Sequence, residues 1–380
     1  MAGIAFVCWG GELGAEFEGR VEETGIGPWG QLEYFAVTLV APKEVVKMGL
    51  PASFRSRWVF ENRTEESLES FLQSLELPSA MEASILDRSL WRWEGKSIIL
   101  NAPRVVVREL PVSARRALYQ ELSKVAANLH QCEPEIMLGN GAREWLKDFE
   151  ISESVLQFID SSSYERGGFR VFADTLEALA MCGSDAERLR LLRGFSRTST
   201  LMAKLRLRSA SPEALTEYWG TGPRRKSTLP LLESMLRIEG LNLIDLLNLL
   251  PAHVRKIVFT YPDPLSARSG YLPDCHWSSL NFFNGEPLES LADPVNATAY
   301  VMEHFEKIGP PYRLGDVLFF TDTQTGNAYH SCAFIADDIV FTKNGRSPLQ
   351  PWVLMKLEEI KKLYDLHFHT EVTAYRRRLE

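Results

Sequence analysis

Hydrophobic positions change their rhythm along this chain, and the changes divide it into three parts. Glu33 to Val40 reads as a strand, closed by Pro42. Thr64 opens a helix with Leu68, Phe71, Leu72 and Leu75 on one face, stopped by Pro78. Lys96 to Leu100 and Arg104 to Leu110 read as two further strands, separated by Asn101-Ala102-Pro103. From Pro111 the pattern turns helical. Leu118, Leu122, Val125 and Leu129 recur at the spacing of one buried helix face. Ser184-Asp185-Ala186-Glu187 forms a capping box for a helix with Leu189, Leu192 and Phe195 inward, and Ser211-Pro212 starts another. The leucine-rich run from Leu229 to Leu250 predicts two helices, divided at Gly240, at the centre of a helical core.

Val258 to Tyr261 reads as a strand, and Pro262-Asp263-Pro264 marks a domain boundary. Beyond it, Asp293-Pro294 supplies an N-cap and a first-turn proline. That helix is expected to bury Val295, Thr298, Met302 and Phe305 and to end at Gly309-Pro310-Pro311. Strands follow at 316–320, 328–336 and 339–344. The fold class is therefore α+β: a mixed α/β segment over 1–110, a mainly helical region over 111–262, and a domain of helices and antiparallel sheet over 263–380.

Composition narrows the function classes. A net charge of -8 argues against a nucleic-acid partner, which requires a basic face. The runs Arg224-Arg225-Lys226 and Arg376-Arg377-Arg378 read as solvated loop and tail charges. No apolar stretch reaches the ~18 residues of a transmembrane helix. The run Ile4 to Trp9 lacks a preceding basic segment, so no signal peptide is visible. A cell-envelope location is expected if a leader has been removed, a cytoplasmic one otherwise, and oligomeric state is left open. The five cysteines form no CxxC pair, so neither a zinc site nor a redox motif nor any other cofactor is expected. Cys8, Cys132 and Cys182 sit among apolar neighbours, as buried small hydrophobes do.

Cys275 differs in its company. It opens the apolar segment Cys275-His276-Trp277-Ser278-Ser279-Leu280, followed by the strand Gly315-Asp316-Val317-Leu318-Phe319-Phe320 and then by His330 in a further strand. This is the chain order of a thiol hydrolase. A helix N-terminus is expected to lower the thiol pKa, and an imidazole on a neighbouring strand to take its proton. His276 lies in the same helical turn as the cysteine and points elsewhere, so His330 is the expected base and His276 a pocket-wall or substrate contact. Cys332 shares the His330 face but has no helix terminus, which makes it a packed thiol. Asp316 is expected to fix the turn into its strand, and Trp277 and Trp352 are candidate aromatic walls.

The stretch 263–365 resembles the NlpC/P60 superfamily of papain-like cysteine peptidases and amidases, through Asp274-Cys275, Gly315-Asp316-Val317-Leu318-Phe319-Phe320 and His330. Typical members carry Asp-Cys-Ser-Gly and His-Val-Gly where this chain has Asp-Cys-His-Trp and His-Ser-Cys. The resemblance implies a papain-like domain and cysteine-dependent hydrolysis of an amide or peptide bond through a thioester acyl-enzyme. Its partner would be a peptide or a fragment of bacterial peptidoglycan. It implies that Asp274 lies near a substrate amino group, with His276 and Trp277 as further substrate contacts.

The resemblance also implies a third catalytic residue on the strand after the base, orienting the imidazole. A three-residue loop, Ala336-Asp337-Asp338, would set His330 opposite Asn344, with Thr342 on the same face as the alternative. A two-residue loop, Asp337-Asp338, would turn Lys343 to the site instead. Asn344-Gly345 is also a strong turn signal. A non-catalytic binding module with this fold, and a Cys–His acyltransferase or thioesterase, are the alternative functions.

Overall fold

A computed structural model describes residues 16–17, 20–221, 225–263, 272–364 and 370–378. Cys8, Arg224, Pro264, His367 and His369 lie outside the described residues. Helices and antiparallel sheets alternate along the chain, an α+β arrangement. No helix among the described residues is long and apolar enough to cross a membrane.

The long strand β1 (Gln31–Leu39), paired with the short strands Glu16–Phe17 and Glu22–Glu23 before it, alternates buried and half-buried positions over its first half. A small sheet follows from β2 (Arg57–Glu61), β3 (Trp91–Glu94) and β4 (Ser97–Asn101). Helix α1 (Glu65–Gln73) lies between β2 and β3, its first turn capped by the Thr64 side chain, which accepts from Ser67 N–H. The expected strand at 104–110 is instead helix α2 (Arg104–Glu109). Pro103 stands at its N-cap, and Val106 and Val107 are buried together, which overrides the β preference of a valine run. Helix α3 (Val112–Leu122) buries Leu118 and Leu122 as the spacing predicts, but Leu129 is exposed because the helix ends first.

The middle of the chain is less helical than its pattern suggests. Strands β5 (Glu135–Ile136), β6 (Tyr164–Arg166) and β7 (Phe169–Phe172) form a second small sheet. Helix α4 (Asp185–Phe195) has the predicted Ser184 cap, accepting from Glu187 N–H. Strand β8 (Thr198–Arg206) pairs along the whole of β1. Helices α5 (Pro212–Trp219) and α6 (Arg225–Arg237) follow. Past Gly240 the second half of the leucine-rich run is a strand, β9 (Leu243–Asp245), and a 3-10 turn, not a helix. β9 adds to β8 at the edge of the five-stranded sheet.

The C-terminal part runs α7 (Cys275–Leu280), α8 (Pro294–His304), β10 (Phe305–Ile308), β11 (Val317–Asp322), β12 (Ala328–Ala336), β13 (Ile339–Lys343), β14 (Trp352–Lys356), α9 (Leu357–Tyr364) and β15 (Thr370–Arg377). The six strands make one antiparallel sheet in the order β10-β15-β11-β12-β13-β14. Asp293 caps α8 through Val295 and Asn296 N–H, as predicted, but Val295 and Met302 face solvent while Ala297 turns inward. The run Arg376–Arg378 begins within β15 rather than in a free tail, with Arg376 paired to Asp316. That pair, and Arg313 N–H on the same carboxylate, fix the turn into β11.

Neither expected boundary separates two cores. Trp58, Phe60 and Leu100 pack with Leu118, Leu122, Tyr164 and Val171, so the core runs through residue 110. Leu32, Leu205, Trp219, Leu249 and Val254 share one cluster with Trp277, Phe282, Val317, Phe341 and Leu354, so it runs through 262–264 as well. Polar contacts stitch the same seam. Thr200 Oγ1 accepts from Leu354 N–H and donates to its carbonyl, each at 3.0 Å. The Tyr218 hydroxyl donates to Ile335 O at 2.7 Å, and Val258 bridges to Trp352 where a regular strand was expected. Proline can break the local chain at 262, but the apolar faces on either side have only each other to bury.

Candidate active site

Cys275 is the first residue of α7, and Asp274 caps that helix by accepting from Trp277 N–H at 2.9 Å. The carboxylate of Asp274 also takes Arg346 at 3.4 Å. Both of its oxygens therefore have protein partners, and the structure uses this aspartate to shape the turn that presents the thiol. Cys275 is 5% exposed. Burial pushes its thiol up, the Asp274 carboxylate adds to the push, and the Ser331 and His276 main-chain N–H groups oppose it; burial wins, at about 12. The expected low-pKa thiolate is thus not the resting state. A six-residue helix and two donors do not offset the loss of solvent.

The Ser331 main-chain N–H, on β12, is one of the groups that favour the ionised thiol. His330 is fully buried on β12. Its ring stacks on Tyr364, with centroids 4.4 Å apart, and meets Phe320 edge-on at 5.5 Å. Nε2 is held by Thr342 Oγ1 at 3.2 Å, while Nδ1 is buried without a hydrogen-bond partner. Burial drives the imidazole well below its ordinary pKa, and neighbouring His276 adds to that. The resting pair is a neutral thiol beside a neutral imidazole, with no hydrogen bond between them among the described residues.

Strand alternation explains the separation. Ser331 faces α7, where its hydroxyl meets His276 Nδ1 at 2.9 Å and Ser279 Oγ at 2.7 Å. His330 and Cys332 face the other side, with Thr342 and Tyr364. His276 also stacks on Phe319 with ring centroids 5.8 Å apart. It is half-buried and does not line the cavity described below. Trp277 is not a substrate contact: it is buried in the main core against His253 and Trp352. Cys332 is a fully buried, packed thiol.

Register decides which side chain of β13 meets the imidazole. The hairpin has the two-residue loop Asp337-Asp338, since Ala336 pairs with Ile339. Taken alone, that loop would send Lys343 to the site. A bulge between Phe334 and Ala336 then absorbs one residue and restores Phe334↔Val340 and Ala333↔Phe341. Thr342 is thereby placed on the imidazole. Asn344, the first expectation, does not reach it. Its amide lies on Met355 Sδ at 3.4 Å, and it stands at the turn that Gly345 completes with a positive φ of 78°.

Sequence reasoning gave several neighbours no role in the site. Tyr364 covers His330 from the end of α9. Lys343 is buried and donates to the Gly345 and Ser347 carbonyls. Burial lowers it to about 8, against the raising charges of Glu133, Cys275 and Asp274. Glu133, from the middle of the chain, sits against the 345–347 turn and accepts from Arg346 N–H at 3.4 Å. Strand parity reaches Lys343, and Tyr364 carries a signal as the aromatic end of a strongly amphipathic segment; Glu133 carries none.

Beside this group lies a cavity of about 290 Å³, between the β5–β7 sheet and the C-terminal strands. Tyr364 and Asn344 form part of its wall. No family model, curated protein or solved structure matches the chain.

Proposed function

We propose that the protein is a cysteine hydrolase of amide or peptide bonds, with Cys275 as nucleophile, His330 as base and Thr342 as the residue that positions the imidazole. One arrangement supports this reading: a helix-opening thiol whose ionised form the Ser331 main-chain N–H favours, and the buried histidine just before that serine, whose Nε2 is held by Thr342 and whose Nδ1 has no hydrogen-bond partner among the described residues. In the reaction the Cys275 S–H proton passes to His330 as sulfur adds to the substrate carbonyl. The imidazolium then gives the proton to the departing amine, leaving a thioester. Water, deprotonated by His330, hydrolyses the thioester and regenerates the thiol. Because both partners rest neutral, proton transfer accompanies attack rather than preceding it. A papain-like domain of the NlpC/P60 type, acting on peptidoglycan stem peptides, is the substrate reading that the residue pattern favours.

The test is turnover of a panel of peptidoglycan-derived peptides, with mass mapping of a peptidyl acyloxymethyl ketone adduct. Cleavage and a Cys275 adduct, both lost in Cys275→Ser, are expected. Cleavage that persists in Cys275→Ser would overturn the assignment. The burial of Cys275 and His330 favours one other reading, a binding module that retains the fold without turnover. That reading predicts no adduct on Cys275 in the native protein and normal labelling after unfolding.

A further inference from the structure

The cavity beside the site is built from opposed chemistry. Glu133 and Glu135 enter it from the start of the β5 segment, and Met137, Phe169, Met355 and Leu363 supply apolar wall. Two arginines also line it, and both are committed elsewhere. Arg166 donates to the Gln131 and Cys132 carbonyls. Arg197 donates to the Trp145 carbonyl and pairs with Asp148. Glu133 is compensated in part by Lys343, Arg346 and the main chain of the 346–347 turn, although its Oε2 is buried without a hydrogen bond. Glu135 has no ion pair or side-chain hydrogen bond among the described residues. Burial, with the Glu133 charge beside it, raises it to about 8. A carboxyl group kept in an apolar-walled space without a cation is costly for the fold and complementary to a cation from outside.

We propose that this cavity binds a ligand carrying a protonated amine on a compact apolar body, with Glu135 as the ionic anchor and Met137, Phe169 and Leu363 around the body. At about 290 Å³ the space suits a group the size of one large side chain with its amine rather than an extended polymer. Tyr364 forms part of the cavity wall and stacks on His330, and its hydroxyl is coupled to the charges of both Cys275 and Glu133. The ligand is thus the amine-bearing end of the substrate; this last step rests on the hydrolase reading, whereas the binding does not.

The experiment uses the full chain with Cys275→Ala, so that no turnover interferes, and calorimetric titration with 2-phenylethylamine and its neutral isostere 2-phenylethanol. The amine should bind at least about tenfold more tightly than the alcohol, the size of one well-placed charge-assisted contact. Glu135→Gln should erase that preference. This variant removes an uncompensated carboxyl group and should fold; Leu363→Trp, which fills the space, should weaken both probes and provides a second readout. Equal affinity for the two probes, a preference that survives Glu135→Gln, or no saturable amine binding at millimolar concentration would each overturn the proposal. Loss of hydrolysis in the unmodified protein together with intact amine binding would reject the hydrolase reading alone.

Discussion

The Cys275 site and the Glu135 cavity share Tyr364 but handle a buried ionisable group in opposite ways. Around Cys275 and His330 the protein supplies main-chain donors, a hydroxyl and an aromatic face, and the groups rest neutral. Around Glu135 it supplies space and a partly apolar wall, and among the described residues no ion pair or side-chain hydrogen bond for the carboxyl group. The first arrangement is closed, with His330 Nδ1 its one group without a hydrogen bond among the described residues; the second holds open space beside an unpaired carboxyl group. The comparison teaches that the incomplete site is the one with room for a ligand, while the chemically suggestive one is walled off behind it. Satisfaction of polar groups, rather than the presence of reactive ones, tells where a small molecule is missing.

The widest break in that comparison is chemical. Cys275→Ser and His330→Ala should each lower kcat/KM on a cleaved peptide by more than about a thousandfold, since nucleophile and base act as one unit. Glu135→Gln should instead raise KM for substrates with a free amine and leave kcat close to its original value. A fall in kcat with KM unchanged would move Glu135 from binding into the chemistry.

Thr342→Val should lower kcat by about tenfold to a hundredfold and shift the pH profile, because it frees the imidazole to turn. Asn344→Ala should change kcat little, since its amide lies on Met355. Equal losses in the two variants would contradict the register described for β12 and β13.

Alkylation sharpens the contrast further. With the thiol pushed up to about 12, native Cys275 should react with iodoacetamide more slowly than a free cysteine at pH 8, and its rate should rise about tenfold per pH unit above that. Tyr364→Ala, which uncovers the imidazole, should speed the reaction. Rapid labelling of the unaltered protein at pH 6 would show the thiolate to be preformed.

The smallest effect is on stability. The folded pKa of Glu135 is raised, so its favourable contribution is complete below the ordinary glutamate range and is lost as pH rises toward about 8. Glu135→Gln should therefore match the parent near pH 4.5 and exceed it by about 2 kcal/mol at pH 9, the residual contact with the cavity moderating the gain. Chemical denaturation at the two pH values measures this difference.

Much of the site was legible in sequence because it depends on local rules. Asp274 before Cys275, Asp293 before Pro294 and Ser184 before Glu187 are caps, and caps are written within four residues. Thr342 was named as the second choice by parity alone. What escaped was tertiary. A valine run at 105–107 became helix with Val106 and Val107 buried and Val105 exposed, and Val295 and Met302 turned outward because α8 packs through Ala297. The leucine-rich segment became partly strand because β8 offered an edge to pair with. Glu133 and Glu135 come from a segment far from the cysteine in sequence, and no periodicity could place them beside Tyr364.

The bulge in β12 has a consequence for inheritance. Its inserted residue, Ile335, offers its carbonyl to the Tyr218 hydroxyl of α5, so the alignment that brings Thr342 to the imidazole is secured partly by a phenol encoded more than a hundred residues upstream. Shuffling the last third of this chain onto another leader would carry cysteine, histidine and threonine intact and leave behind the group that keeps them in step. Lineages that keep the reactive trio should therefore travel with their upstream half, and an insertion in this hairpin should be tolerated only with a compensating change at position 218.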